Sequence, residues 1–390
     1  MVMITIGFRR DTGEWVCKER KGLYRFGNGQ LAFAASLPDL TFAVRTKGRR
    51  VGPLVGILVS ESSIPALLSR KKRWLETVIR SIHADGGIAI VSAATSIGEK
   101  TVSGYVFVPS LERFVEALTP LPDVVYNRIK SWKEEQTEPF QTAVARLAAH
   151  NIPLVNRSFF RKSDVYDALR TDRRLWPYLL PTALVDKVDD VRAWLDQYGC
   201  IYVKQDNGSR GSGLFRLTAL PGAAVVCESP RSQKRLESLD ELAPLVQSCR
   251  YIVQAAADAD TWNGCRYDLR VLAHWQHDRY TITGIGVRLA RTQSVTTHVF
   301  HGGTVLPYTE VKERIDEQEL EQLIALSGKR LSERFGFVGE FSADIGVSRE
   351  RQLYIYEINA KPMVFDEPEI EMHRLRRLNQ LFAELAHLAP

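Results

Sequence analysis

Glu340-Phe341-Ser342-Ala343-Asp344-Ile345-Gly346-Val347 is followed, a short turn later, by Leu353-Tyr354-Ile355-Tyr356-Glu357-Ile358-Asn359-Ala360-Lys361-Pro362. Both stretches read as strands, and their separation suits an antiparallel hairpin. A loop over 349–352 pairs Ser348 with Leu353 and sets Asp344 directly opposite Glu357. Alternation along the strand then puts Glu357 and Asn359 on one face. Two carboxylates and an amide oxygen at one spot repel unless a cation lies between them, and an all-oxygen set suits Mg²⁺. A solvated face on an edge hairpin is the other reading. Ile345, Val347, Ile355 and Ile358 weigh against it, because they make the hairpin too apolar to lie freely in water.

Upstream, Val203-Lys204-Gln205-Asp206-Asn207-Gly208-Ser209-Arg210-Gly211-Ser212-Gly213-Leu214 concentrates three glycines and two serines in six residues. Such a loop lets backbone N–H groups close on an anion. It is neither of two familiar phosphate loops. A P-loop needs Gly-Lys-Ser/Thr ahead of a helix, and Leu214 stands where that Lys would be; a dinucleotide turn needs G-x-G-x-x-G opening a helix, whereas 214–218 reads as a strand. The expectation is a glycine-rich hairpin tip with Lys204 ending the entering strand; a flexible loop without ligand is the plainer alternative. Between the two motifs, Tyr267-Asp268-Leu269-Arg270-Val271 and Arg288 set guanidinium groups in strands that otherwise read apolar. Burying them is costly unless they meet an anion or a carboxylate such as Asp268. Anion loop, oxygen-ligand site and buried arginines are together the parts for handling a nucleoside triphosphate.

Working outward, residues beyond 180 alternate hairpin strands (201–204, 214–218, 251–254, 267–275, 280–289, 341–347, 353–359) with helices at 188–198 and 317–335, an antiparallel α+β pattern. Before them, apolar runs at 54–60 and 88–92 flank a helix capped by Ser62-Ser63-Ile64-Pro65 and continuing until Gly86-Gly87, which is a βαβ unit. Strands at 102–108 and 123–127 and a helix at 140–150 complete that piece. The run Arg70 to Arg73 is expected on the helix's solvated face. Residues 1–50 carry five short strand candidates (3–8, 14–18, 23–26, 31–35, 41–46) separated by turn signals, a small all-β module.

The 390 residues are 45% hydrophobic and 25% charged, which excludes disorder as the main state. No run reaches the roughly 18 apolar residues of a membrane helix. The formal charge of +6 is local: residues 1–50 hold ten Lys or Arg against four acids, leaving 42 basic and 42 acidic side chains elsewhere. The five cysteines are too widely spaced for a zinc or redox pair. His274 with His277 and His298 with His301 lack the further ligands zinc needs.

The order of these motifs resembles the ATP-grasp superfamily, and within it the YheC/YheD-like group described as endospore coat-associated. The resemblance is carried by Leu180-Pro181-Thr182, Val203-Lys204 through Gly213, Tyr251-Ile252-Val253-Gln254, Tyr267 through Val271, and Gly339-Glu340 through Asp344 with Glu357 through Pro362. It implies an α/β and α+β multidomain chain: an ATP-grasp domain over 151–390 with its ATP lid at about 181–255, preceded by a parallel α/β domain at 49–150 and a small basic β module at 1–48. By the same resemblance, Lys204 and Lys162 hold ATP phosphates, and Gly208, Ser209, Gly211 and Gly213 close over them. Gln254, Ala255 and Ala256 lie at the adenine, chiefly through backbone groups; Asp344, Glu357 and Asn359 bind Mg²⁺. Arg270 and Arg288, with Lys204, face the γ phosphate and an acyl-phosphate intermediate. His301, Gly302 and Gly303 border the acceptor. Gln205 departs from the family, which has Pro after the lysine, and is expected to alter loop stiffness more than chemistry.

The activity implied is ATP- and Mg²⁺-dependent carboxylate–amine ligation by a cytoplasmic protein, spore-associated if the source sporulates. An ATP-binding structural protein of the spore coat without turnover is the alternative. The expected partners are small-molecule or peptide carboxylates and amines, with acidic ones suited to the basic module. Neither nucleic acid nor membrane is expected as a partner.

Overall fold

The turn signals of residues 1–50 separate short strands, among them Val2–Phe8, Trp15–Cys17 and Thr41–Lys47, which pair antiparallel within a seven-stranded sheet. The computed structural model describes every residue except Met1, 20–23, Lys72, 209–212, Ala223, 291–294, 298–301 and Pro390. The chain forms two units: residues to Phe159 with Gly336–Gly339 and the stretch from Glu371 on make one, and Phe160–Phe335 with Glu340–Ile370 make the other.

In the first unit, Trp15 packs against Phe8, Phe26 and Phe42 at centroid distances of 5.0, 4.9 and 5.4 Å. The same core continues through Leu54, Ile88 and Phe140, so the basic β module and the α/β segment bury their apolar faces together. Ile88–Ser92, Leu54–Leu58, Val124–Asn127 and Leu154–Val155 run parallel and, apart from half-buried Leu154, are wholly buried, as continuous apolar runs require. Thr101–Val108 and Arg113–Pro120 add an antiparallel pair. The single helix expected to run until Gly86 is two, Ile64–Leu68 and Arg73–Ala84. Arg70 breaks it, at φ +58° with its guanidinium 2.8 Å from Glu76, so the Arg70 to Arg73 run does not lie on one helix face. The N-terminal basic surplus is partly used inside this unit: Arg45 lies 2.9 Å from Asp85, Arg50 lies 3.8 Å from Asp123, and Lys47 donates to the Ala389 carbonyl.

The second unit holds two antiparallel sheets. The first runs Thr182–Val185, Tyr251–Ala255, Cys200–Gln205, Leu214–Ala219, Val225–Ser229, Ser232–Leu236. Val188–Tyr198 packs on it through Val188, Val191 and Leu195. The second runs Gly303–Leu306, Arg279–Ala290, Cys265–Gln276, Glu340–Val347, Leu353–Asn359. Glu317–Phe335 crosses its outer side so closely that a Cβ on Gly328 would come within 2.3 Å of the Tyr280 ring.

Candidate active site

Asp344 does stand opposite Glu357, and Ser342 opposite Asn359, but by another route than the sequence suggested. Val347 rather than Ser348 pairs with Leu353, so the turn is one residue longer. Tyr356 is an extra residue between Ile355 and Glu357, and this bulge restores the register before the carboxylates. The bulge also serves the site: the Tyr356 carbonyl accepts from Lys204 Nζ at 3.2 Å. Its ring lies on Gly346, where a Cβ would come within 2.1 Å.

On the same face of the second sheet, Arg270 pairs across strands with Asp344 on one side and Gly286 on the other, while Asp268 pairs with Arg288. One row therefore reads Gly286, Arg270, Asp344, Glu357, with successive members about 5 Å apart. Both arginines are buried.

The two lysines arrive from different elements. Lys162 opens the helix Lys162–Leu169, which the sequence reading missed; its Nζ donates to the Gly208 carbonyl at 2.6 Å and lies 3.5 Å from Glu357 Oε1. Asp206 sets that helix in place. Its buried carboxylate accepts from the Ser163 amide at 2.8 Å and the Ser163 hydroxyl at 2.9 Å, and its carbonyl accepts from the Lys162 amide at 3.0 Å. In the sequence Asp206 reads only as part of a turn. Lys204 donates to Gln254 Oε1 at 2.6 Å. Burial pushes its pKa down to about 8; the Glu357 and Asp344 charges oppose this, and Lys162 adds to it.

Gln254 is thus engaged through its side chain, which also donates to Thr182 at 3.2 Å. The Ala255 and Ala256 amides are bonded to the Pro181 and Cys200 carbonyls at 3.0 and 3.2 Å. Any contact these two residues make with a base passes through other groups.

Both lysines, Asp344, Glu357 and Arg288 line one cleft. Gly208, Gln254 and Ala255 line it too; Ala256, Gly213, Arg270, Asn359, Gly302 and Gly303 do not. Arg270 and Asn359 share the sheet face that carries Asp344 and Glu357. Gly213 closes the hairpin tip at φ +64°, accepting from the Gln205 amide at 2.9 Å. Gly303 pairs with Ala290 at the sheet edge, and Gly302 precedes it. Ser209, Gly211 and His301 lie outside the described residues.

Arg266, Asp268, Tyr202 and Thr297 line the cleft without having been singled out for it. The alternation Arg266, Asp268, Arg270 was the signal that could have found two of them, since it puts all three on one strand face. Arg266 donates to the Tyr202 hydroxyl, and Thr297 donates to Asp268. Burial, and then the Asp344 charge, push the Asp268 carboxyl up to about 6.

The donor set fits a hard cation. Asp344 Oδ1 and Asp268 Oδ1 are buried with no hydrogen-bond partner among the described residues, and Asp344 faces a second carboxylate across the strands. A divalent ion satisfies such oxygens and relieves their repulsion. Among the described residues no group of three or more His, Cys, Asp and Glu surrounds a metal position. The set here is two carboxylates, with the Asn359 amide next along the strand.

The model of the YheC/D like ATP-grasp family matches residues 151–387. The chain belongs to this family. Endospore coat-associated protein YheD of Bacillus subtilis (strain 168) is 28% identical over 345 residues, covering 82% of this chain and 75% of its own. The D-alanine-D-alanine ligase of Coxiella burnetii superposes with a TM-score of 0.51 at 11% identity, over 86% of this chain and 94% of that one. D-alanyl-alanine synthetase A of Vibrio cholerae gives 0.50 at 15% identity, over 86% and 99%. The ADP complex of purK, an N5-carboxyaminoimidazole ribonucleotide synthetase, gives 0.50 at 12% identity, over 83% and 76%. This ATP-grasp member therefore has the multidomain ligase fold its motifs implied.

Proposed function

We propose that the chain is an ATP- and Mg²⁺-dependent ligase that joins a carboxylate to an amine through an acyl phosphate. The observation that carries this reading is the meeting of Lys162, Lys204, Asp344, Glu357 and Arg288 at one cleft, with Arg270 beside Asp344 on the same sheet face. A substrate carboxylate oxygen attacks the γ phosphorus, and the bond to ADP breaks. The amine nitrogen then bonds the acyl carbon, and the C–O electron pair leaves with phosphate. Lys162 and Lys204 hold the charge of the β and γ phosphates, while Arg270 and Arg288 stabilise charge on the transferring group. Asp344, Glu357 and Asn359 would hold Mg²⁺, which supplies charge neutralisation when bound. Gly208, Ser209, Gly211 and Gly213 are assigned to the cover over the phosphates, Gln254 to Ala256 to the adenine end, and His301 to Gly303 to the acceptor side.

ADP release measured with a panel of amino acids and short acidic peptides tests the reading. Glu357→Gln and Asn359→Ala are expected to abolish release in folded protein, and unchanged release in both would sink the metal assignment. A second reading, an ATP-binding coat protein without turnover, draws on the coat-associated relative. Nucleotide binding without ADP production across the panel would favour it. Among the described residues no helix is long and apolar enough to cross a membrane.

A further inference from the structure

The row Gly286, Arg270, Asp344, Glu357 has a direction. The lysines cluster at its carboxylate end, so in the proposed reaction the nucleotide lies there, and Arg270 separates that end from Gly286. The Glu367 carboxylate rests on Gly286: a Cβ at that position would come within 2.6 Å of Oε1 and 3.0 Å of Oε2. Next to it, Asp366 Oδ2 lies 3.9 Å from Arg288 Nη2. The segment bearing both carboxylates is tied down. Arg270 donates to the Met363 carbonyl at 3.4 Å and stacks 4.9 Å from the Phe365 ring, while Phe365 and Ile370 are buried against Leu272. Glu367 is half-buried, and burial, then the charge of Asp366, raises its proton affinity above the ordinary carboxylate value. Arg288 and Arg270 work the other way. A proton-accepting carboxylate thus stands beside Arg270 on the side away from the nucleotide end.

From this placement, and resting on the ligase reading above, we infer that Glu367 is the base of the amine step. The acceptor it implies is an amine that arrives as a cation. An alkylammonium group cannot attack an acyl phosphate, because its nitrogen lone pair is held by a proton. Glu367 receives the ammonium and takes that proton. The freed nitrogen bonds the acyl carbon, the C–O bond breaks toward phosphate, and the second nitrogen proton leaves with the phosphate. Asp366, next to Glu367 in the chain, adds a second negative charge at this end of the row and so favours the cationic acceptor. Glu367 lies against Gly286, and Gly286 is separated from the metal ligands Asp344 and Glu357 by Arg270, so the base and the metal occupy opposite ends of the row.

The test compares two acceptors in the ADP-release assay. Methylamine is cationic at neutral pH and needs a base; hydroxylamine is largely uncharged there and does not. In Glu367→Gln the methylamine-to-hydroxylamine rate ratio should fall about 100-fold, the usual size of a general-base contribution. Glu367→Asp should restore part of it, and Gly286→Ala should lower the same ratio by displacing the carboxylate. An unchanged ratio in Glu367→Gln, or equal loss with both acceptors, overturns the assignment. Calorimetric titration of the full chain with methylammonium chloride, in the presence of ADP and Mg²⁺, reads the same residue without turnover. Binding should weaken about tenfold in Glu367→Gln. Equal titrations of the two chains, including no binding by either, overturn the inference. Weakened methylammonium binding in a protein that never releases ADP keeps Glu367 as the ammonium site and removes the ligase reading. ADP release with an unchanged acceptor ratio does the reverse.

Discussion

Lys204 carries a charge that the fold makes conditional. Burial brings its pKa from an ordinary 10.5 down to about 8, the Glu357 and Asp344 carboxylates offsetting only part of the loss. The amine is therefore mostly protonated at pH 7 and mostly neutral at pH 9. Only the protonated form offers a phosphate a full charge, and above pH 7 phosphate itself is already ionised. With a pKa near 8, the protonated fraction falls from about 0.9 to about 0.1 over that range, so the Kd for ADP with Mg²⁺ should rise roughly tenfold. Calorimetry in two buffers of different ionisation enthalpy adds an independent reading: binding should take up close to one proton at pH 9 and almost none at pH 6.5. Lys204→Arg stays charged throughout, so its profile should be flat whatever its absolute affinity. A flat wild-type profile from pH 7 to 9, or the same slope in Lys204→Arg, would refute the placement of Lys204 against the phosphates.

Three further outcomes follow from other parts of the molecule. His83 accepts from the Ala89 amide at 3.3 Å, and burial pushes its pKa down to about 4, while burial pushes Asp123, which accepts from the Leu54 amide at 2.8 Å, up to about 6. His83 stability is complete above pH 6.5 and lost as pH falls toward 4; Asp123 stability is complete below pH 3.8 and lost as pH rises toward 6. Each is worth about 3 kcal/mol and they offset, so in denaturant titrations His83→Gln should become more stable on acidification from pH 6.5 to 4 and Asp123→Asn less stable. Parallel behaviour of the two variants would contradict this. Gly346→Ala drives a methyl into the Tyr356 ring; it should cost about 1–3 kcal/mol of stability and also weaken ADP binding by moving the carbonyl that holds Lys204, so a stability loss with unchanged affinity would uncouple the bulge from the site. Asp344→Asn should abolish Mn²⁺ binding seen by electron paramagnetic resonance in the presence of ADP, and retained binding would move the metal elsewhere.

The site was more legible in the sequence than the fold, and for uneven reasons. Asp344 and Glu357 were correctly set opposite each other because the longer turn and the Tyr356 bulge cancel; period-2 reasoning sees neither. Lys204, Arg270 and Arg288 were readable because a charge set in an apolar strand is costly to bury unless it meets an opposite charge. Lys162 came only with the resemblance. Its helix is short, and its anchor, Asp206, looks like any turn aspartate until Ser163 is seen bonded to it. Glu367 was invisible for a similar reason. Asp366-Glu367-Pro368 reads as the start of a helix, and only the bare Gly286, one strand from Arg270, gives that carboxylate a place in the chemistry. In the first unit, Arg113–Pro120 escaped notice because its buried side offers only Val115, Ala117 and Thr119, a weak apolar signal, and Arg70 broke a helix whose periodicity ran on through it.

In the proposed reaction a carboxylate oxygen is phosphorylated by ATP in the cleft of Lys162, Lys204, Asp344 and Glu357. Incubation of the wild-type chain with ATP, Mg²⁺ and the amino-acid and peptide panel labelled with ¹⁸O in the carboxylates tests it directly. The prediction is ADP release accompanied by phosphate carrying one ¹⁸O, since the carboxylate oxygen leaves with the phosphoryl group. Tight nucleotide binding without ADP, or ADP with unlabelled phosphate from attack by water, would contradict it.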